Sequence, residues 1–328
     1  MKDISLSSVN LFEKKLNPLV SMMMPVFNGE NFIRLSIESL LNQDYENFEL
    51  IILDNQSTDK TRSICEEYVN KDSRVHYICD ESQCISHEGA NRLIHFAKGE
   101  YCMIACDDDL YSPNYVSKLI KQLEENKNVG MVFSRMELVD VHGNILNTNY
   151  DKIWFNSGNS RIKNFIYFLF LRACVPMVFG IFRTRLYKQA LPFQVFDKTL
   201  YDADNKFMLE FLANNKVHCI DNILFYYRSK NRNLEKEGST DKKSRTPSPK
   251  NMFGRYIYLA VHQINFTFEI FKIIFKSEFN IFIKGILIII TTFSFLYYLL
   301  DLIPVFHKLI YVSRSKLLNF LSNVKTNR

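Results

Sequence analysis

The sequence predicts an α/β fold: a mostly parallel central sheet flanked by helices. Three observations carry this. Short apolar runs recur without polar alternation, stretches with helical periodicity separate them, and acidic or amide-rich turns follow several of the runs directly. A strand buried on both faces reads as an unbroken apolar run, and parallel strands need helical crossovers between them.

The elements follow in order. Leu19 to Met24 is the first run, ended by Pro25 and the turn Phe27-Asn28-Gly29. Ile33, Ile37, Leu40 and Leu41 then recur at helical spacing. Phe48 to Leu53 is the second run, followed by Asp54-Asn55-Gln56-Ser57-Thr58-Asp59. There Ser57 or Thr58 is expected to cap a helix with Asp59 in its first turn. Val75 to Cys79 is the third run. Ala90, Leu93, Ile94 and Ala97 mark a helix that Gly99 stops, and Tyr101 to Ala105 is the fourth run. Ser112-Pro113 is expected to open a helix with Val116, Leu119, Ile120 and Leu123 on one face. Val129 to Phe133 is the fifth run. Sheets of this kind bind ligands at the carboxyl ends of their strands, where Asp54 and the trio Asp107, Asp108 and Asp109 stand.

Composition narrows the class. The chain has 328 residues, 47% hydrophobic and 23% charged, so it is globular rather than disordered. Its seven cysteines include no CxxC pair, which fits reduced thiols better than a disulfide framework. Residues 1–18 have no apolar core long enough for a secretory signal and read as an N-terminal extension. Residues 19–230 form the expected catalytic domain. The polar stretch 231–250, with its charges, prolines and serines, reads as a linker or exposed loop. Residues 251–328 read as a hydrophobic and basic helical region. From Arg228 to the end, 17 lysines and arginines face 6 acidic residues, whereas the first 227 residues hold 24 and 29. A basic tail on an acidic body implies an anionic partner.

Three adjacent carboxylates repel one another unless a cation neutralises them. An all-oxygen ligand set suits Mg²⁺ or Mn²⁺, which bind one or two carboxylates together with substrate phosphates. Taken alone, a solvated acidic loop accounts for the cluster equally well.

The surrounding motifs weigh against that. Residues 20 to 61 resemble the start of a family 2 glycosyltransferase with a GT-A nucleotide-diphospho-sugar transferase fold. The resemblance is carried by Pro25-Val26-Phe27-Asn28, by Leu41-Asn42-Gln43-Asp44-Tyr45, and by Asp54 to Asp59. Asn91, Ala97-Lys98-Gly99-Glu100-Tyr101, the aspartate trio and the segment Phe196-Asp197 to Tyr226-Tyr227-Arg228 continue it, over about residues 19 to 228. It implies that Pro25, Phe27 and Asn28 line a nucleotide pocket with Glu30 nearby and Asn91 contributing. It further implies that Asp54 accepts a hydrogen bond from the base, Asp107 meets the ribose, and Asp108 ligates the metal with Asp109 assisting. Simple packing is the other reading of Phe27, and an Asx-turn or helix cap that of Asp54. Two positions depart from the family pattern. Cys106 stands where many members have a further aspartate, and Ala90 stands where some have arginine.

The family's catalytic base lies in an acidic pair opening a helix. Here the matching stretch is Tyr201-Asp202-Ala203-Asp204-Asn205-Lys206. Asp204 falls on the base, Asp202 is its reserve, and a cap for the helix is the alternative role for both. Trp154 and His218 belong to the region expected to build the acceptor pocket. Trp154 is the only tryptophan, and no Gln/Arg-x-x-Arg-Trp motif of processive synthases is present, so transfer of a single sugar is expected.

The C-terminal region contains Gly285 to Leu300, 16 residues without a charge, short of the ~18 expected of a span. Phe266, Phe268, Ile270, Phe271, Ile274 and Phe275 suit an interfacial helix. Membrane association is the expectation, by surface contact or by residues 285–303 spanning. The other readings are a helical subdomain packed on the body, or a dimer contact. Basic residues interleaved with aliphatics, without a recognisable motif, argue against nucleic acid. The sequence thus points to an inverting, metal-dependent hexosyl- or related sugar transferase. It would use a UDP- or dTDP-linked donor and a lipid-linked or surface-glycan acceptor, at the cytoplasmic face of the membrane or in the cytoplasm. A nucleotidyltransferase of related fold and an inactive scaffold are the alternatives.

Overall fold

The computed structural model describes residues 17–79, 86–146, 160–171, 175–193, 203–229 and 252–301. The expected extension 1–18 and the linker 231–250 lie almost wholly outside these, as do Asp202 and Trp154.

Eight strands form one sheet in the order β3-β2-β1-β4-β7-β6-β8-β5. They are β1 (Val20–Val26), β2 (Phe48–Asp54), β3 (Val75–Cys79), β4 (Tyr101–Ile104), β5 (Leu110–Tyr111), β6 (Val129–Val139), β7 (Ile181–Arg183) and β8 (Lys216–Arg228). Pairs β1–β2, β1–β4, β2–β3 and β6–β8 are parallel, while β7 and β5 run antiparallel to their neighbours. The helices are α1 (Ile33–Leu41), α2 (Thr61–Lys71), α3 (Ser86–Leu93), α4 (Tyr115–Glu125), α5 (Arg161–Leu171), α6 (Val175–Val178), α7 (Thr184–Ala190), α8 (Ala203–Asn214), α9 (Met252–Lys276) and α10 (Ile281–Asp301).

The unbroken apolar runs behave as expected of strands covered twice. Met22 and Met24 of β1, Leu50 and Ile52 of β2, and Met103 of β4 enter one core with α1, α2 and α4. Their neighbours Met23, Ile51, Leu53, Cys102 and Ile104 enter the other, with α3, α5, α8 and the C-terminal helices. Period-two alternation thus survives, but both faces are apolar.

Two helix starts differ from expectation. α2 begins at Thr61, and Asp59 rather than Ser57 or Thr58 accepts its first free N–H, from Thr61 at 3.0 Å. α4 begins at Tyr115, two residues past Pro113, because Ser112 and Pro113 bond the loop that follows α1. The Ser112 carbonyl accepts from Gln43 Nε2 at 2.8 Å, and the Pro113 carbonyl accepts the Asp44 N–H at 2.8 Å.

The chain order explains where a ligand can sit. From β1 the sheet grows outward through β2 and β3, then returns to the other side of β1 as β4. The loops after β1 and β4 therefore diverge at a topological switch point, which opens a crevice. Gly99 makes the entry to β4 possible. A Cβ there would stand 2.6–2.7 Å from the Tyr101 and Leu19 carbonyl oxygens and the Ser21 nitrogen. None of these backbone atoms can swing away. Gly99→Ala is therefore expected to lower unfolding free energy by about 2 kcal/mol in urea titration.

Candidate functional site

Three loops meet at the crevice. The first follows β1 and carries Phe27, Asn28, Gly29 and Glu30. Asn28 holds φ at 53°, a left-handed conformation that asparagine tolerates better than most residues. Its N–H donates to Ser57 Oγ at 2.8 Å, and its side-chain oxygen accepts the Thr58 N–H at 2.8 Å. Gly29 N–H donates to Thr61 Oγ1 at 2.8 Å, Glu30 N–H to Asp59 at 3.0 Å, and Lys60 N–H back to Glu30 at 3.0 Å. The loops after β1 and β2 are thereby laced into one rim. Phe27 is left 45% exposed above it, so the simple packing role does not describe it. Pro25 lies half-buried at the base of the same loop.

Asp54 ends β2 and is buried. One carboxylate oxygen accepts the Ser57 N–H at 2.9 Å, an Asx-type turn, and the other accepts the Tyr77 hydroxyl at 2.7 Å. Its turn-forming role is therefore realised, and a base would share it with these partners. Tyr77, brought alongside by the β2–β3 register, escapes a sequence reading because a strand tyrosine has no motif. Its phenol is pushed up, first by burial and then by the Asp54 carboxylate.

The third loop follows β4. Asp107 reaches the first: a Cβ on Gly29 would stand 2.6 Å from an Asp107 carboxylate oxygen. Only glycine leaves that carboxylate room beside the β1 loop. Asp107 and Asp108 are partly exposed, whereas Asp109 is fully buried. The three are not equivalent. Asp109 Oδ1 accepts the Arg228 N–H at 2.8 Å, its carbonyl accepts from Ser36 Oγ at 2.8 Å, and its Oδ2 has no hydrogen-bond partner. Burial, and secondarily the charge of Asp108, push its carboxyl well above the usual carboxylate range.

Arg228, at the end of β8, holds this loop from beneath. It is 2% exposed. Its Nε donates to the Asp108 carbonyl at 2.7 Å, and its Nη1 to the Asp140 and Val141 carbonyls at 3.0 and 2.9 Å. The guanidinium lies 4.7 Å from the centroid of the Phe32 ring. The planar five-donor fork is what lets one side chain serve three carbonyls on two loops.

Ligand atoms of Cys106, Asp108 and Asp109 lie within 4.8 Å of one another. The Cys106 thiol is pushed far up by burial and the adjoining carboxylates, so it stays protonated, and a soft protonated sulfur does not suit Mg²⁺ or Mn²⁺. The Oδ2 of Asp109 beside Asp108 completes an all-oxygen pair that fits a hard cation once the Asp109 carboxyl gives up its proton.

Asn91, on α3, meets a distant segment of the chain. Its amide donates to the Phe193 carbonyl at 3.0 Å and accepts the Phe193 N–H at 2.8 Å. It thereby joins α3 to a peptide 102 residues away. Phe193 stacks on Phe207 at 4.2 Å, and Phe207 lies on α8, whose first turn carries the exposed Asp204. His218 is half-buried on β8, and burial lowers its pKa.

A switch-point crevice, a paired-loop rim and an acidic third loop define a nucleotide-sugar transferase scaffold. The chain matches the sequence model of glycosyl transferase family 2 over residues 21–194 and belongs to that family. An uncharacterised glycosyltransferase of Methanocaldococcus jannaschii is 28% identical over 218 residues, covering 66% of this chain and 72% of the relative. Glycosyltransferase GlyG of Streptococcus pneumoniae is 32% identical over 110 residues, covering 34% of this chain and 36% of its own length. Among solved structures, residues 1–349 of S. aureus TarS with UDP-GlcNAc superpose with a TM-score of 0.62 at 19% identity, covering 92% of this chain and 89% of that one. A Pyrobaculum calidifontis mannosyltransferase with GDP-Man and Mn²⁺ gives a TM-score of 0.50 at 15% identity, covering 85% and 70%. These likenesses establish the GT-A fold.

Arg228→Met is expected to cost about 3 kcal/mol in chemical denaturation, since it leaves three part-buried carbonyls without their donor. Arg228→Lys should recover only part of that, because an ammonium cannot span both loops.

Proposed function

We propose that this glycosyltransferase is an inverting, metal-dependent enzyme. It moves one sugar from a nucleotide-sugar donor, UDP- or dTDP-linked, to a lipid-linked or surface-glycan acceptor. The observation that carries the reading is the close approach of the Asp107 carboxylate to Gly29, which brings the β1 and β4 loops together in a family 2 chain. The UDP-GlcNAc and Mn²⁺ present in the two structural relatives support it.

In this reading Phe27 stacks on the base, Asp54 accepts from it, and Asp107 accepts from the ribose hydroxyls. Pro25, Asn28 and Glu30 shape the pocket wall. Asp108, with Asp109 beneath it, would hold Mg²⁺ or Mn²⁺, which when bound supplies positive charge to the leaving diphosphate. Asp204 takes the proton of the acceptor hydroxyl as its oxygen bonds to the anomeric carbon. The bond from that carbon to the diphosphate breaks on the opposite face, and the configuration inverts. Its place in the first turn of α8 puts its negative charge where the helix dipole favours it.

Three measurements test this. Thermal shift with a panel of nucleotide sugars and Mn²⁺ should show stabilisation by one base class, and a flat response to all would refute the reading. Asp204→Asn should lower transfer by about 10²–10⁴-fold while leaving nucleotide-sugar binding within about twofold, since a base acts in the transition state. Asp108→Ala should abolish the Mn²⁺ dependence of nucleotide binding measured by calorimetry.

A further inference from the structure

Helices α9 and α10 are two-faced. On α9, Phe266, Ile270 and Ile274 are buried in the core that α8 shares, and Lys206 of α8 pairs with Glu269 at 3.4 Å. On α10, Leu287, Thr291 and Ser294 are buried, and Ser294 Oγ donates to the Leu169 carbonyl of α5 at 3.2 Å. The expected interfacial run is thereby divided, because Phe266, Ile270 and Ile274 serve the protein interior while Phe268 and Phe275 stay outside.

A second apolar stripe remains outside. On α9 it consists of Ile264, Phe268 and Phe275, and on α10 of Phe282, Ile286, Ile289, Phe293 and Leu296. The α10 positions follow steps of four and three, one line along a helix. Phe282 is 75% and Phe293 65% exposed. Lone surface hydrophobics are ordinary, but a line of them is not.

We infer that this hairpin is a membrane-surface docking element that lays its outer stripe on a bilayer carrying anionic lipid. Charge selects that occupant. Lys276 follows Phe275 in the sequence and Lys284 lies between Phe282 and Ile286, its ammonium donating to the Phe275 carbonyl at 2.8 Å, while Lys272 pairs with Glu269. The acidic residues nearby, Glu269 and Glu278, are engaged by Lys206, Lys272 and Arg161. After Asp301 the sequence holds five lysines and arginines and no acidic residue. A second copy would bring the same positive border against itself, whereas anionic headgroups neutralise it. Lysine stems can lie along the apolar surface with their ammonium groups at headgroup level. The mode is in-plane. Each helix packs one face on the protein, which a lipid-surrounded span cannot do, and among the described residues no helix is long and apolar enough to cross a membrane. This deepens the proposed function by naming the surface on which its acceptor is presented. The Lys206–Glu269 pair ties the docked helix to α8, the helix that carries Asp204.

The test is co-sedimentation of the full chain with phosphatidylcholine vesicles and with vesicles containing phosphatidylglycerol. Anionic vesicles should bind at least about tenfold more tightly, with the difference removed by high salt. Phe282→Ser with Phe293→Ser should weaken binding to anionic vesicles at least about tenfold. Lys276→Gln with Lys284→Gln should remove the preference for anionic lipid. Both variants should keep wild-type nucleotide binding, so a failure here is distinct from failure of the catalytic reading, which would appear as absent nucleotide binding in the wild-type chain. Absence of vesicle binding overturns the inference. So does a dimer, seen by sedimentation, that the phenylalanine pair disrupts.

Discussion

A buried guanidinium holds the acidic end of β4 in place, and the rest of the site depends on it. Arg228 joins the Asp108 carbonyl to the Asp140 and Val141 carbonyls, and its own peptide N–H meets Asp109. Three adjacent aspartates would otherwise repel and splay. Here the chain turns one of them inward, where burial favours its neutral form, and leaves two at the crevice. The trio is therefore a division of labour between a buried anchor and two outward carboxylates.

Much of this fold is legible in the sequence because the signals are long. The runs at β1, β2, β3 and β4 are five to seven residues or close to it, bounded by turns, and their parallel pairing follows from the helices between them. β5 and β7 are two and three residues long, too short for any periodicity, and they are placed by partners distant in sequence. β6 continues to Val139 because its second half pairs with β8 through register shifts that no local pattern marks.

The site was legible by residue type and less so by role. Phe27, Asn28 and the aspartates stand where their motifs put them, at strand ends. Asn91 carries the expected amide, whose two atoms meet the Phe193 peptide, and only a contact across 102 residues reveals that. In the sequence Arg228 only closes the segment from Phe196-Asp197 to Tyr226-Tyr227-Arg228 that carries part of the resemblance. Its function as a brace exists only once β8 lies beside β6, with its tip under the β4 loop.

The Asn91–Phe193 clasp has a long-range consequence. It couples the donor half to α8 through one amide and one stacked ring, Phe193 on Phe207. The join is completed by the core in which β1, β2 and β4 meet α8, and by the pairing of β4 with β7. A change at Asn91 is therefore felt at α8, the helix whose first turn carries Asp204, as well as at α3.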